Sequence, residues 1–307
     1  MPSVKSIKQR IKSTKNTAQI TKAMEMVSAA KMRRSQETAL HGRPYAAASI
    51  RIVKNVLAKL EEKPGLLLSR EAKSKLILIV TSDKGLAGAL NANILRKTDE
   101  WLVNEKNYSA NLSVIAVGKK AIDYCFRKNI KMEKFFTGFG DAGSTEETIE
   151  ISGYVLAGFL EKKWDEVDII YTHFRTTLLQ EVTVRKVLPI TIENLEASIK
   201  SIVPEHGRFA EVKNGNSLKE TDDYLFEPTS KEVLDVLLSQ LLAIHIHNVI
   251  LEANASEHSA RMVAMKSASD NAKKLVTDLT LVYNKARQSN ITREILEITA
   301  GAEALQG

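Results

Sequence analysis

The sequence predicts an α/β protein in an unusual arrangement: a long antiparallel coiled coil of N- and C-terminal helices, with an open α/β domain inserted between them. Three observations lead there. No proline or glycine interrupts residues 3–41 or residues 229–300. Between these runs, short apolar, β-branched segments alternate with helical patterns, as in a buried and largely parallel sheet. Finally, at about 1.5 Å of rise per residue the C-terminal run makes a helix roughly 110 Å long. No compact domain buries that length, so it needs a partner helix, a sleeve of other chains, or both.

The N-terminal region, 1–63, carries Ile7, Ile11, Thr14, Ala18, Thr21, Met24 and Ser28 at steps of three and four. This is coiled-coil spacing, but the stripe is mostly small or polar, which suits a closely packed seam. Gly42 and Pro44 predict a break or kink. Helical periodicity then resumes until Lys63-Pro64-Gly65 ends it. Strands are predicted at Leu76–Ser82, Leu112–Gly118 and Val167–His173, with helices over Ala89–Val103, Lys119–Arg127 and Thr145–Lys163. Val182–Ile190 alternates in the manner of an edge strand. Residues 75–192 thus form a Rossmann-like α/β domain, and the polar stretch 193–227 is a surface segment and linker. In 228–307, Pro228 and Thr229-Ser230 predict a capped helix start. Leu234, Leu237, Leu238, Leu241 and Ile244 recur at helical spacing, and Ile291, Ile295, Ile298, Ala302 and Leu305 step by four, three, four and three. This helix is longer than its partner, so its end should project.

The chain is 44% hydrophobic and carries a net charge of +7. Residues 1–60 hold thirteen Lys or Arg against Glu25 and Glu37, a balance of +11, so the remainder sums to −4. Such an arm suits a solvated face, an acidic protein partner, an anionic membrane surface or nucleic acid. Nucleic acid ranks last, because residues 1–40 contain no Phe, Tyr or Trp to stack on bases. No uninterrupted run of about 18 apolar residues predicts a membrane span, and MPSVKSIKQR reads as the start of a mature protein. The single Cys125 predicts a buried, reduced thiol.

The most enzyme-like segment is TSDKGLAGALN, Thr81–Asn91, which follows a strand and opens a helix where phosphate-binding loops sit. It matches neither G-x-G-x-x-G nor a P-loop. The plainer account is a tight, closely packed turn, although an α/β enzyme binding nucleotide through Gly85–Asn91 stays a rival. His245, His247 and His258 form no H-E-x-x-H and are expected to be solvated or partner-facing. Trp101 and Trp164, near helix ends, are expected to be packing anchors. No metal site, cofactor site or supported catalytic triad emerges.

IKQRIKSTKNTAQITKAMEMVSAAKMRRSQ resembles the start of the gamma subunit of F-type ATP synthases. ASEHSARMVAMKSASDNAKKL and LVYNKARQSNITREILEITAGAEAL resemble its end, and TSDKGLAGALN is similar to the family's segment in the α/β domain. The resemblance covers nearly the whole chain, in order, and is to the bacterial type, since one cysteine cannot work the two-cysteine switch of the chloroplast branch. It implies a non-catalytic central rotor shaft coupling ion-driven rotation to ATP synthesis or hydrolysis, with no cofactor of its own. The partners it implies are three alpha and three beta subunits, epsilon and the membrane c-ring, with no nucleic acid. It also implies a peripheral location on the cytoplasmic face of the inner membrane. Contacts with alpha and beta carry over to Met24, Arg261, Arg287, Gln288 and Thr292, and to an apolar bearing formed by Ile295, Ile298 and Leu305.

Overall fold

A computed structural model describes residues 3–57, 64–105, 111–139, 145–194, 196, 226–227 and 229–306, without the side chains of 43, 145–147 and 303–306. The chain divides into two compact units, Ser28–Arg261 and the pair of segments Met1–Val27 with Met262–Gly307.

Two helices contribute to both units: α1 (Val4–Leu57) and α5 (Ser230–Gln306). Each begins on the hydroxyl that its sequence offers. Ser3 Oγ accepts from Ser6 N at 3.2 Å, and Thr229 Oγ1 accepts from Glu232 N at 3.3 Å, which satisfies donors that a helix N-terminus leaves open. The predicted break in α1 is overturned, because the helix runs through Gly42 and Pro44 without interruption. Pro44 is exposed, so its ring faces solvent and the carbonyl it leaves without a helical donor is open to water. The predicted segments 58–63, 197–225 and Pro228 lie outside the described residues.

The larger unit is built on a five-stranded sheet of order β3-β2-β1-β4-β5. Its strands are β1 (Lys75–Val80), β2 (Leu112–Val117), β3 (Met132–Phe136), β4 (Glu166–Phe174) and β5 (Gln180–Leu188). All neighbours are parallel except β4 and β5. The helices α2 (Leu90–Asn104), α3 (Lys119–Arg127) and α4 (Thr145–Leu160) fall between the strands as the periodicity predicts. Strand β3 was not predicted. It is a half-exposed edge strand whose sequence, Met-Glu-Lys-Phe-Phe, lacks the continuous apolar run of its neighbours.

Alternation along the strands sorts the core into two layers. Ile77, Ile79, Val114, Ala116 and Ile170 face α2 and α3. Leu76, Leu78, Val80, Ile115, Val117, Ile169 and Tyr171 face the opposite way. There they meet Ile151, Val155 and Phe159 of α4, the end of α1, and Leu234, Leu238, Leu241, Leu242, Ile246, Val249 and Ile250 of α5. One stretch of α5 is long and apolar enough to cross a membrane, but half of it is buried inside the protein, as befits a helix that covers a sheet. Along the same unit α1 and α5 run antiparallel: Ala39 packs with Leu251, and Tyr45 Oη lies 2.6 Å from Gln240 Oε1.

Both tryptophans are packing anchors. Trp101 is buried on α2. Trp164 is fully buried, and its Nε1 donates to Val155 O at 3.0 Å. The thiol of Cys125 is buried and burial pushes its pKa up to about 11, so it stays protonated and unreactive near neutrality.

Gly118 links β2 to α3 with φ +91°, and a Cβ there would sit 2.1 Å from Thr81 O. Gly118→Ala is therefore expected to cost about 2–4 kcal/mol of stability, read by denaturant unfolding of the purified chain. At the other end of the sheet Asp168, only 7% exposed, lies across β5 from Lys186. Burial raises its pKa from 3.8 to about 6, against the pull of Lys186 and Lys75. The folded state thus holds this proton more tightly than the unfolded chain. That stability is fully present below pH 3.8 and is lost as pH rises through about 6. Asp168→Asn should remove this part of the pH dependence and gain up to about 3 kcal/mol at pH 7 relative to the parent.

Candidate functional site

The smaller unit pairs the start of α1 with the end of α5. Ile7, Ala18 and Thr21 are buried on one side, and Met265, Ser269 and Ala272 on the other. Ser269 Oγ donates to Ala18 O at 3.3 Å across the seam, an approach that small side chains permit. The stripe predicted from Ile7 to Ser28 is the buried one. Met24 lies half-buried on it.

Beyond this seam the character of α5 changes. From Ile291 to Ala302 every residue is exposed. Ile291, Ile295, Leu296 and Ile298 are 46%, 55%, 61% and 71% exposed, an apolar stripe of the kind that marks contact with another chain. Arg287, Gln288 and Thr292 stand at its base, also exposed, with Thr292 Oγ1 donating to Gln288 O at 3.0 Å. The structure brings these predicted contact residues together on one helix end. The side chain of Leu305 lies outside the described residues.

Arg261 is placed differently, in the larger unit, where it is 7% exposed. Its Nε and Nη2 donate to Gly85 O at 3.3 and 3.2 Å, it forms an ion pair with Glu257, and its Nη1 lies 3.2 Å from His258 Nδ1. It holds the β1–α2 loop against α5. Three further bonds do the same for β4. Tyr171 Oη donates to Glu252 Oε2 at 3.1 Å, His173 Nδ1 lies 2.8 Å from the same oxygen, and Ser256 Oγ donates to Thr172 O at 2.9 Å. Glu252 is 6% exposed. From the sequence Glu252 stands out only as one of two carboxylates, with Glu257, between His247 and His258, a set without metal-site spacing, and Tyr171 and His173 carry no site signal. The available signal was a lone carboxylate inside the apolar stretch Leu241–Ala253, with no motif around it.

These bonds cluster at the carboxyl ends of β1 and β4, where the strand order reverses. Ligands of open α/β sheets bind at such a switch point. Here the crevice is full. The cavity lined by Thr81, Ser82, Thr172, Asn254 and Glu257 measures about 10 Å³, room for one water. Asp83 fills the helix position that a phosphate takes elsewhere, because its Oδ1 accepts from Lys119 N at the start of α3 and its Oδ2 from Gly138 N, both at 2.8 Å. The closely packed turn expected around Gly85 and Gly88 needs one correction. A Cβ at either glycine meets nothing within 4 Å, and the requirement lies in the φ of +57° at Gly88. Leu86, at φ +65°, adopts the same region without that freedom.

The expectation of solvated histidines is also overturned. His245 and His258 are buried, and His247 Nδ1 lies 3.1 Å from Thr148 Oγ1. Neither ring nitrogen of His245 has a hydrogen-bond partner. The neighbours differ: His247 meets α4, His258 meets Arg261, and His245 lies in the interior of the larger unit. Among the described residues no group of His, Cys, Asp and Glu is arranged to hold a metal ion.

One unit with a sheet whose ligand crevice is filled by its own helix, and another that is a helix pair with a bare apolar end, define a class: a structural coupling element made to sit among other chains. The comparisons agree. The ATP synthase family model matches residues 3–305. The chain is 40% identical to the ATP synthase gamma chain of a Roseiflexus species over 99% of both chains. It is 37% identical to that of a Geobacter species over the full length of both. Among solved structures, the central stalk and c-ring of the Tetrahymena thermophila mitochondrial ATP synthase gives a TM-score of 0.57 at 25% identity, covering 81% of this chain and 99% of that one. A chain of the Euglena gracilis mitochondrial enzyme shares the fold, with a TM-score of 0.65 at 22% identity over 98% and 94%. This chain belongs to the ATP synthase gamma-chain family.

Burial depresses the pKa of His245 from 6.5 to about 3, with the Arg185 charge as the lesser cause. The stability this neutral ring contributes is full above pH 6.5 and is lost as pH falls towards 3. His245→Leu should flatten that acid limb by roughly 2–4 kcal/mol, measured as unfolding free energy between pH 7 and pH 4.

Proposed function

We propose that this chain is the central shaft of a rotary ATP synthase, transmitting rotation of an ion-driven membrane ring to catalytic sites on surrounding subunits. The carrying observation is the end of α5, where Ile291–Ala302 is exposed throughout and apolar along one stripe. An apolar helix end of that kind calls for a sleeve. Family membership supports a sleeve of three alpha and three beta subunits, and the c-ring of the related assemblies supports a c-ring for this one.

In this reading the shaft makes and breaks no covalent bonds. It acts through asymmetry: each catalytic site meets a different face of the shaft as it turns, and differential contact shifts that site between open and closed states. Ile295, Ile298 and Leu305 run in the apolar bearing. Arg287, Gln288 and Thr292 offer hydrogen bonds to the surrounding loops, and Met24 approaches an acidic segment of beta. Arg261 keeps the shaft seated on the domain beneath. Residues 75–192 form the foot that meets epsilon and the c-ring, and 193–227 link it back to the shaft. The complex then lies peripherally on the cytoplasmic face of the inner membrane, where the shaft regulates both ATPase activity and ion flow.

Mixing this chain with alpha and beta subunits should give an ATPase with one copy per three of each. In the membrane-reconstituted enzyme, Met24→Lys and Arg287→Ala should each lower ion-driven synthesis relative to hydrolysis by about fivefold or more. Unchanged coupling in both variants refutes the contact assignment.

A further inference from the structure

We infer that Glu252 is a positioning residue that locks α5 to the α/β domain against slip, so that force applied to the domain turns the helix. The inference rests on the shaft reading and concerns a step inside the chain that the reading leaves open. Rotation that enters through the domain must leave through α5, and the two meet over one face of the sheet.

Most of that contact is apolar. Leu234, Leu238, Leu241, Leu242, Ile246, Val249 and Ile250 pack into the sheet-facing core, and burial of this kind is strong but non-directional. Packed helices do shift by a turn or slide past their neighbours when load or a ligand favours it. A directional bond resists such motion. The Oε2 atom of Glu252 is held by two side chains of one central strand, Tyr171 at 3.1 Å and His173 at 2.8 Å. One turn further on, Ser256 bonds the backbone between them, at Thr172 O. Three consecutive residues of β4 thereby fix both the rotation and the axial register of α5. Any slip strands the carboxylate among buried groups without its two partners, a large penalty at a 6% exposed site.

A buried carboxyl group is a poor choice for stability alone, since replacing both members of a buried polar pair by apolar groups of the same shape is often neutral or stabilising. Register is where such a group has its use. The lock and the cost of burying it therefore separate in experiment.

Two variants test this in the intact complex. Glu252→Met keeps the volume and removes the lock, whereas Glu252→Gln keeps an acceptor for Tyr171 and His173. Thermal stability of the complex, ATP hydrolysis by the soluble head, and ATP-driven ion pumping by the reconstituted enzyme are measured together. For Glu252→Met, soluble hydrolysis should hold within about twofold of the parent although thermal stability drops, because Tyr171 and His173 lose their acceptor, while pumping per ATP hydrolysed falls by about fivefold. Glu252→Gln should recover most of the ratio. An unchanged ratio in Glu252→Met overturns the inference. So does a parallel fall of stability, hydrolysis and pumping in both variants, because a merely structural role lowers all three together. Failure of the shaft reading is a separate result, a parent chain that gives no ATPase with alpha and beta.

Discussion

Everything in the larger unit depends on one burial: the apolar face of α5 between Leu234 and Ile250 is the cover of the sheet. Leu76, Leu78, Val80, Ile115, Val117 and Ile169 present a continuous hydrophobic surface on that side, and α4 alone does not cover it. The inserted domain is thus completed by the helices that flank it in sequence. The end of α1 joins through Ile50, Val53 and Val56, and Trp164 closes the far side against Val155. A sheet with only one helical layer would expose its other face to water, at a cost of about 25 cal/mol per Å² of apolar area. The domain therefore has no stable existence apart from the shaft, which is a physical reason for the two to move together.

The polar bonds at the carboxyl end of the sheet gain their meaning from that burial. Arg261, Glu252 and Ser256 reach the β1–α2 loop and β4 because the apolar face has already laid α5 across them. Removed from water, such bonds are strong and unforgiving of misplacement. This stretch of the larger unit is consequently well specified in direction, whereas the seam of the smaller unit is made of Ala18, Thr21, Ser269 and Ala272. Small residues make a thin seam that keeps the helix pair slender. Stiffness comes from the helices and precision from the polar bonds.

Much of this was legible from period alone. The stripe from Ile7 to Ser28, the three buried strands, the alternating edge strand and the cap at Thr229 all follow from spacing and composition. What was missed has one cause. Periodicity reports which face of an element is apolar but not what that face meets. Met132–Phe136 is an edge strand, half-wet, and so carries no run to detect. Pro44 passes through α1 because that turn happens to face solvent. His245, His247 and Glu252 are polar letters within an apolar stretch, and only the position of the sheet decides that they are inside. The candidate site divided in the same way: the bare stripe at Ile291–Ile298 was readable as excess length, whereas the Glu252 bonds join residues about eighty positions apart.

Asp83 gives the domain a property that its enzymatic relatives in fold lack. In a nucleotide-binding sheet the switch point is completed by ligand, so the loops there tighten and relax with occupancy. Here a carboxylate of the chain itself bridges Lys119 N and Gly138 N, and α5 occupies the rest. The same loop geometry is therefore satisfied at all times. The loop after β1, the start of α3 and the turn after β3 are thereby tied together by one side chain, which suits a part that must pass motion on.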